Sequence, residues 1–296
     1  MRFRIARRVS LMALAATACF GPIDHASATE TPERVTFPSA DGKTTLTGYL
    51  FRPATAAADR VPAVVMMHGR TGAYSILANG LFDASTLSQR HRMWGRLWAE
   101  QSYLALLVDG FGPRGHPRGF PQGSYESRPG ALSEVTIRPL DAYGALAYLR
   151  SRPDVAADRV GLLGWSNGGS AAIATMSIGA PGIKAPTPAS GFRAALAFYP
   201  ACGLKGAFDS GYRPYAPVRI FMGTADDEVS PQGCRALVEK SRALSADVEL
   251  RFYDGATHGF DDPGRSRQAV KANATANADA RTRALDFFAS QLRREP

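Results

Sequence analysis

The chain alternates short apolar runs rich in Val, Ile and Phe with longer segments of helical spacing, and this alternation constrains the fold most strongly. From residue 63 onward most predicted strands are followed by a predicted helix, a pattern that requires parallel strands joined by right-handed crossovers. The first two strands flank an Asp41-Gly42 turn, which predicts an antiparallel edge. The sequence therefore predicts the α/β class, with a mostly parallel sheet flanked by helices.

Eight strands and five helices are predicted. The strands are Arg34–Phe37, Thr45–Arg52, Ala63–Met67, Leu104–Asp109, Val160–Gly164, Ala194–Tyr199, Arg219–Gly223 and Val248–Tyr253. The helices are Met93–Gln101, Ser133–Ser151, Ser166–Ile178, Pro231–Ser245 and Asn277–Arg293. Because no break in composition is long enough for a domain linker, residues 29–296 are expected to form a single domain.

The first 28 residues are typical of an export signal. Arginines up to Arg8 precede an apolar run, Val9 to Phe20, which is too short to span a membrane. Ala26-Ser27-Ala28 provides the small residues that a signal peptidase accepts, so we expect cleavage before Thr29. The mature protein is then expected to be periplasmic or secreted and free of the membrane.

Two variants of this signal stay open. Arg7-Arg8 fits a twin-arginine signal, although Ser10 stands where that motif prefers a hydrophobic residue. Cys19 fits a lipidated cysteine, although Ala16 stands where a large aliphatic residue is expected.

Charge and motif content exclude several classes of partner. The chain carries a formal charge of +9. Residues 1–28 contribute +3 of this, because four arginines within the first eight positions are opposed there only by Asp24. The remaining charge is spread without dense Lys/Arg blocks, so a nucleic-acid partner is not expected. The five histidines are scattered, and no metal-binding or nucleotide-binding motif occurs in a suitable context. We therefore expect no metal and no cofactor.

A candidate nucleophile lies between the fifth predicted strand and the helix that follows it. Gly164 and Gly168 flank Ser166 in the pattern G-x-S-x-G. Glycines on both sides remove the Cβ atoms that would clash in a sharp strand-to-helix turn, which pushes Oγ clear of the sheet. The alternative is a serine N-cap in a Gly-rich turn.

Two further strands end close to the partners that a nucleophilic serine needs. The hydroxyl needs a base, and the base needs a carboxylate to orient it. Asp226 follows the seventh predicted strand and His258 follows the eighth, which predicts the triad Ser166, Asp226 and His258. Asp227 and Glu228 remain as alternative acids, and are otherwise solvated turn residues or a helix cap.

Two backbone amides are predicted to stabilise the oxyanion. One belongs to Asn167, directly after the nucleophile, and the other to Arg70, in the Gly-rich loop after the third strand. His68 lies in the same loop and is interpreted as an architectural residue that forms hydrogen bonds within it.

Seven segments in this order resemble motifs of the dienelactone hydrolase family of the α/β-hydrolase superfamily. They are MMHGRTG, VDGFGPRG, RPLDAYGALAYLRSRPDV, GLLGWSNGG, AFYPAC, GTADDEVSP and GATHGF, and the likeness covers about residues 35–292. The resemblance implies an eight-stranded sheet flanked by helices, with hydrolysis of an ester or lactone through an acyl-enzyme. It also implies a triad of Ser166, Asp226 and His258.

The sequence departs from the family pattern at two positions. Many members use a cysteine nucleophile, whereas Ser166 makes this chain more similar to general esterases. The founding enzymes carry an arginine four residues after the histidine, where this chain has Asp262. A negative charge there is expected to repel an acidic dienelactone.

Contacts with substrate are assigned to residues beside the predicted cleft. Arg114 is a candidate for holding an anionic group, together with Arg70 and Arg118, unless these arginines are solvated or paired locally. Trp165, next to the nucleophile, faces either the substrate or the core. The loop from Tyr74 to Arg92, within the segment 70–92, is longer than this junction needs, and we expect it to roof the cleft.

Cys202 and Cys234 are expected at the carboxyl edges of neighbouring strands and are predicted to form a disulfide, as suits an exported protein. Two buried free thiols are the alternative.

Together these features predict an exported serine hydrolase of small-molecule carboxylic esters or lactones. A serine peptidase of the prolyl-oligopeptidase kind and a catalytically silent binding module on the same fold are the alternatives.

Overall fold

The computed structural model describes residues 31–54 and 60–293. The predicted signal peptide, residues 1–28, lies outside these residues, so its cleavage and the export of the protein stay predictions. Within the described ranges, the helices are too short or too polar for any of them to cross a membrane.

In residues 31–54 and 60–293, eight strands form one sheet in the order β1-β2-β4-β3-β5-β6-β7-β8. Strands β3 to β8 run parallel, whereas β2 runs antiparallel to both β1 and β4. This arrangement confirms the predicted mostly parallel sheet with an antiparallel edge. The strands are β1 (Glu33–Pro38), β2 (Thr45–Phe51), β3 (Val61–Met67), β4 (Leu104–Asp109), β5 (Val155–Trp165), β6 (Ala195–Phe198), β7 (Val218–Gly223) and β8 (Val248–Tyr253).

All five predicted helices are present, with different bounds. The helices are α1 (Gln89–Glu100), α2 (Arg138–Arg150), α3 (Asn167–Met176), α4 (Pro231–Arg242), α5 (Arg265–Gln268) and α6 (Lys271–Leu292). Helix α1 begins earlier than predicted because the Ser88 side chain accepts a hydrogen bond from the His91 amide and caps the helix. Helix α2 begins later because Ser133 instead accepts the amide of Thr136 in a turn. The short helix α5 was not predicted.

The core lies on both faces of the central strands. Strand β4 is buried along its whole length, as expected for a parallel strand covered by helices on both sides. The Trp94 and Trp98 rings of α1 are fully buried and belong to this core. The Trp98 ring contacts the Phe288 ring of α6, so the first and last long helices pack on each other.

The structure contains the predicted disulfide between Cys202 and Cys234. Cys202 follows β6, and Cys234 lies in the first turn of α4, after the loop that carries Asp226. The bond therefore ties together the segments that follow two neighbouring strands at one edge of the sheet. The alternative of two free thiols is wrong.

We predict that replacing both cysteines with serine lowers the free energy of unfolding by roughly 3–4 kcal/mol. The reason is that a bridge between positions 32 residues apart restricts the unfolded chain. Urea unfolding of the chain beginning at Thr29 measures the loss. Reduction should destabilise the wild type to a similar degree and leave the double variant unchanged. Two reactive thiols in the denatured, unreduced wild type would contradict the prediction.

Candidate active site

Ser166 lies in a sharp turn between β5 and α3 and has a backbone conformation that side-chain-bearing residues rarely adopt. Its φ is 52° and its ψ is −118°. A Cβ atom on Gly164 would lie 2.0 Å from the Gly168 carbonyl oxygen, and one on Gly168 would lie 2.1 Å from the Met67 carbonyl oxygen. The flanking glycines are therefore required by close backbone approach, as the sequence pattern predicts.

The structure brings the three predicted catalytic side chains into one hydrogen-bonded line. The Ser166 Oγ atom lies 3.0 Å from His258 Nε2, and His258 Nδ1 lies 2.8 Å from Asp226 Oδ2. The other Asp226 oxygen accepts the amides of Glu228 at 3.0 Å and Val229 at 2.9 Å. Asp226 is thus the carboxylate bonded to the imidazole, and both of its oxygens have donors.

The contact with the Asp226 carboxylate sets the roles of the two imidazole nitrogens. The Asp226 side chain is fully buried and that of His258 is 9% exposed. A buried carboxylate can only accept, so Nδ1 donates to Asp226 and Nε2 is left to accept from the Ser166 hydroxyl. The Tyr199 ring packs 4.6 Å from the imidazole and supports it from the side.

The two amides predicted to bind the oxyanion lie on segments that meet beside Ser166. Asn167 is the first residue of α3, where amides have no acceptor within the helix. Gly69, which precedes Arg70, passes so close that a Cβ on it would lie 3.4 Å from the Ser166 Cβ atom. In the part of the chain that the structure describes, neither the Asn167 nor the Arg70 amide donates a hydrogen bond. Both are therefore free to donate to a bound oxygen.

A buried arginine, Arg138, connects these two segments, and the sequence reasoning missed it. Its Nη1 donates to the His68 carbonyl oxygen at 2.8 Å and to Asn167 Oδ1 at 2.6 Å. Burial lowers the pKa of Arg138 to about 10, with Asp141 and Glu134 acting in the opposite direction. The guanidinium is therefore still charged at neutral pH. Arg138 therefore fixes the position of the loop after β3 relative to the start of α3.

His68 has the architectural role that the sequence predicts. Its ring is fully buried; Nδ1 lies 2.7 Å from the Gly69 carbonyl oxygen, and Nε2 accepts the Gly110 amide at 3.2 Å. Burial, reinforced by the charge of Arg138, lowers the pKa of His68 well below its usual value. The ring therefore stays neutral and fixes the loop that carries the Arg70 amide.

The Arg70 side chain forms an ion pair with Glu228 beside the reacting atoms. Arg70 Nε and Nη2 donate to the two Glu228 carboxylate oxygens at 2.8 and 2.9 Å. Glu228 Oε2 also lies 3.8 Å from His258 Nε2. Burial raises the pKa of Glu228, but the Arg70 hydrogen bonds and the charges of His258 and Arg70 together outweigh it and lower the pKa overall. Glu228 is thus an ionised residue of the site, distinct from the acid bonded to Nδ1.

A model of the dienelactone hydrolase family matches residues 46–292. The chain belongs to the dienelactone hydrolase family. Its eight-stranded sheet, flanked by helices, has the α/β-hydrolase fold. The probable 2-oxo-3-(5-oxofuran-2-ylidene)propanoate lactonase of Bradyrhizobium sp is 25% identical to it over 222 residues, which is 72% of this chain and 77% of the lactonase.

Solved structures of the same fold include a dienelactone hydrolase-like promiscuous phosphotriesterase from metagenomic libraries. It is 20% identical, with a TM-score of 0.64 over 88% of this chain and 98% of its own. Thermogutta terrifontis esterase 2 with bound propionate is 21% identical, with a TM-score of 0.60 over 90% and 97% of the two chains. The same esterase phosphorylated by paraoxon is 21% identical, with a TM-score of 0.59 over 86% and 95%.

Asp262, which replaces an arginine of the founding enzymes of the family, does not present an uncompensated charge. Arg90 of α1 donates to its carboxylate at 3.1 Å. Arg90 Nε also lies 3.3 Å from the neighbouring Asp261. The expected repulsion of acidic substrates is therefore reduced by a cation from a different element.

For two of the candidate substrate contacts, the structure supports the alternative that the sequence left open: Trp165 faces the core, and Arg114 is paired locally. Trp165 is fully buried and donates its indole N–H to Asp261 at 2.8 Å, so its ring belongs to the core. Arg114 forms a two-pronged ion pair with the buried Asp141, at 2.8 Å for both contacts. Neither side chain lines either of the two described cavities that include Ser166. Each side chain lies near the cleft in sequence but donates to a buried carboxylate, Asp261 for Trp165 and Asp141 for Arg114, and so faces away from the substrate.

Asp261 is a second feature that sequence reasoning missed. It is fully buried and accepts hydrogen bonds from the indoles of Trp94 and Trp165, both at 2.8 Å, and from the Tyr199 hydroxyl at 2.5 Å. Its position three residues after His258 could have drawn attention to it. Its donors lie on β5, on α1 and after β6, and only the fold brings them together.

The segment predicted to roof the cleft lies at the site. Tyr74, Ile76, Leu77 and Leu87 line a cavity of about 870 Å³ that also includes Ser166 and His258. Across the described ranges of the chain, no group of three or more His, Cys, Asp or Glu side chains is arranged to hold a metal ion.

We predict that Arg138→Met lowers kcat at least tenfold with little change in KM. The change removes the brace between the two oxyanion segments, and loss of one oxyanion donor costs about 10²–10³ in rate. Steady-state hydrolysis of a p-nitrophenyl ester measures the effect. Arg150→Met, in the same helix but facing the 189–191 segment, is the control. A folded Arg138→Met variant with an unchanged kcat would contradict the prediction.

His91 predicts a loss of stability in acid. The ring is buried, and Nδ1 donates to the Ala73 carbonyl oxygen at 2.9 Å. Burial lowers the pKa of His91 to about 4. The unfolded chain therefore binds a proton below about pH 6.5 that the folded chain does not. The contribution of the neutral His91 ring to the stability of the folded state is therefore complete above pH 6.5 and is lost as the pH falls from 6.5 towards 4.

We expect the free energy of unfolding to fall across this window, with about 3 kcal/mol contributed by His91. His91→Asn keeps a donor to Ala73 but does not titrate, so its stability should depend less on pH. Chemical unfolding of both proteins at pH 7, 6, 5 and 4 measures the difference. Parallel curves for the two proteins would show that His91 does not contribute.

Proposed function

We propose that the protein is an exported serine hydrolase that cleaves carboxylic esters or lactones through an acyl-enzyme. The observation that carries the proposal is the continuous contact from Ser166 Oγ through His258 to the buried Asp226 carboxylate. A hydroxyl bonded to a neutral imidazole that is oriented by a carboxylate is an activated nucleophile.

Acylation uses each of these groups once. Ser166 Oγ attacks the carbonyl carbon while His258 Nε2 takes the hydroxyl proton, and Asp226 stabilises the imidazolium that forms. The amides of Asn167 and Arg70 donate to the oxyanion. His258 then gives its proton to the departing alkoxide, so an alcohol leaves and the acyl group stays on Ser166.

Deacylation repeats the sequence with water. His258 takes a proton from the water, whose oxygen attacks the acyl carbon, and then returns the proton to Ser166 Oγ as the ester bond breaks. The products are a carboxylic acid and free enzyme. For a lactone, alcohol and acid are parts of one molecule, which leaves only after deacylation.

The family match favours esters and lactones over peptide bonds as substrates. The lactonase and esterase names of its relatives support the same choice. A catalytically silent binding module would not need three side chains held within hydrogen-bond distance in an activating order.

Export of the protein is supported by two independent features. The first 28 residues have the charge, apolar run and small residues of a signal peptide, which would be removed before Thr29. The Cys202–Cys234 disulfide is of the kind that persists in an oxidising compartment such as the periplasm.

We predict that Ser166→Ala lowers the hydrolysis of p-nitrophenyl butyrate by about 10³-fold or more and abolishes covalent labelling by a fluorophosphonate. Ser190→Ala changes a serine of the 187–191 turn that has no contact with the triad, so its activity and labelling should match the wild type. Mass spectrometry of the labelled wild type should locate the phosphonate on Ser166. Hydrolysis by Ser166→Ala at the wild-type rate would overturn the proposed nucleophile.

A further inference from the structure

Two cavities open on either side of Ser166. The smaller, of about 590 Å³, is lined by the segment 122–128, the segment after β6 and the start of α4. The larger, of about 870 Å³, is lined by the segment after β3 and the loop around His258. In the described chain they share only Ser166, Arg70 and Glu228. Because Arg70 and Glu228 are the ion pair, the partition between the cavities is a salt bridge.

The other reacting groups are divided between the cavities. Asn167 lines the smaller cavity only, and His258 lines the larger cavity only. The leaving oxygen must take its proton from His258 Nε2, so the alcohol portion of an ester has to depart on the side that His258 faces. The oxyanion points at the amides, so the remaining substituent, the acyl chain, is directed to the opposite side.

We propose that the Arg70–Glu228 ion pair divides the cleft into an acyl cavity, the smaller one, and a leaving-group cavity, the larger one. The assignment rests on the proposed esterase function and adds substrate class to it. Each portion of the ester then contacts a different set of side chains.

The acyl cavity has more apolar than polar surface and is held in shape, although Glu126, Arg128 and Lys205 also line it. Leu204, which is 2% exposed, and Val229 line it. Leu204, Lys205 and Gly206 have φ values of 43°, 53° and 79°, a left-handed run that restricts this segment to one course. Cys202 precedes the run and is tied to α4 by the disulfide. The acyl cavity therefore selects apolar acyl chains by length.

The leaving-group cavity has a different character. Ile76 and Leu77 form part of its lining and are 86% and 77% exposed. Arg92 and Arg267 also line it. The exposed apolar side chains at the rim of this cavity lie next to cations, so the cavity can accept a bulky alcohol with both apolar and polar parts. We therefore expect broad selectivity for the alcohol portion of the ester.

Two series of esters separate the cavities. One keeps p-nitrophenol as the alcohol and extends the acyl chain from acetate to decanoate. The other keeps acetate as the acyl group and extends the alcohol from methyl to naphthyl, with acid release followed by titration. The ratio of kcat/KM between the ends of each series is the readout for each protein.

Cavity-filling and cavity-emptying variants give opposite predictions for the acyl series. A Cβ on Gly233 would meet nothing closer than the Ser230 Cβ atom at 4.0 Å, so Gly233→Leu has room to project into the acyl cavity. It should lower the decanoate-to-acetate ratio at least tenfold, whereas Leu204→Ala should raise it several-fold. Both should leave the alcohol series within twofold of the wild type.

The matched variant on the other side is Leu77→Ala. It should lower the naphthyl-to-methyl ratio about threefold or more and leave the acyl series within twofold. Effects of Gly233→Leu on the alcohol series and of Leu77→Ala on the acyl series would reverse the assignment. Equal effects on both series would show that the cleft is not divided.

The double variant Arg70→Ala/Glu228→Ala tests the partition itself, because it removes both side chains but keeps the Arg70 amide. Adding Gly233→Leu to it should change the decanoate-to-acetate ratio less than threefold, since the chain can pass into the larger cavity. A full tenfold effect would contradict a partition by the ion pair. Wild-type protein that hydrolyses no ester of either series would instead overturn the proposed function.

Discussion

The turn at Ser166 is the constraint on which the site depends. Its left-handed φ is tolerated because the surrounding backbone leaves no alternative course, with Gly168 packed against the end of β3 and Gly164 packed against Gly168. This close packing also sets the start of α3 beside the loop after β3. One local contact thus fixes the direction of the nucleophile and brings the two oxyanion amides to the same place.

Two sets of charged side chains then hold this geometry: the buried Arg138 and the part-buried ion pair of Arg70 and Glu228. Arg138 lies below the turn and holds both oxyanion segments through a single nitrogen. Burying a guanidinium is costly unless opposite charges lie near it, and Glu134 and Asp141 supply those charges, whereas Nε and Nη2 have no hydrogen-bond partner among the described residues. Above the turn, Arg70 and Glu228 join the loops after β3 and β7. The inner cation thus braces the two segments of the proposed oxyanion hole, and the outer ion pair joins two loops beside the proposed nucleophile.

The strands and the triad could be predicted from sequence because their signals are local. Ser166 and His258 each follow an apolar run by a few residues, and parallel strands bring such positions to one edge. Arg138 could not be predicted, since its acceptors lie 70 and 29 residues away along the chain and one is a backbone oxygen. The sequence left the orientation of Trp165 open, because proximity to Ser166 in sequence does not reveal a buried acceptor, Asp261, 96 residues further on.

Asp261 explains how the base is held as firmly as the nucleophile. Burial raises the pKa of Tyr199 well above 10, so its phenol stays protonated and donates to Asp261, while its ring packs on the imidazole of His258. The same carboxylate accepts two indole N–H groups, which ties the His258 loop to α1 and β5. The imidazole is thus bonded through Nδ1 and supported on one face. Its Nε2 atom contacts Ser166 Oγ and faces the larger cavity, which His258 lines.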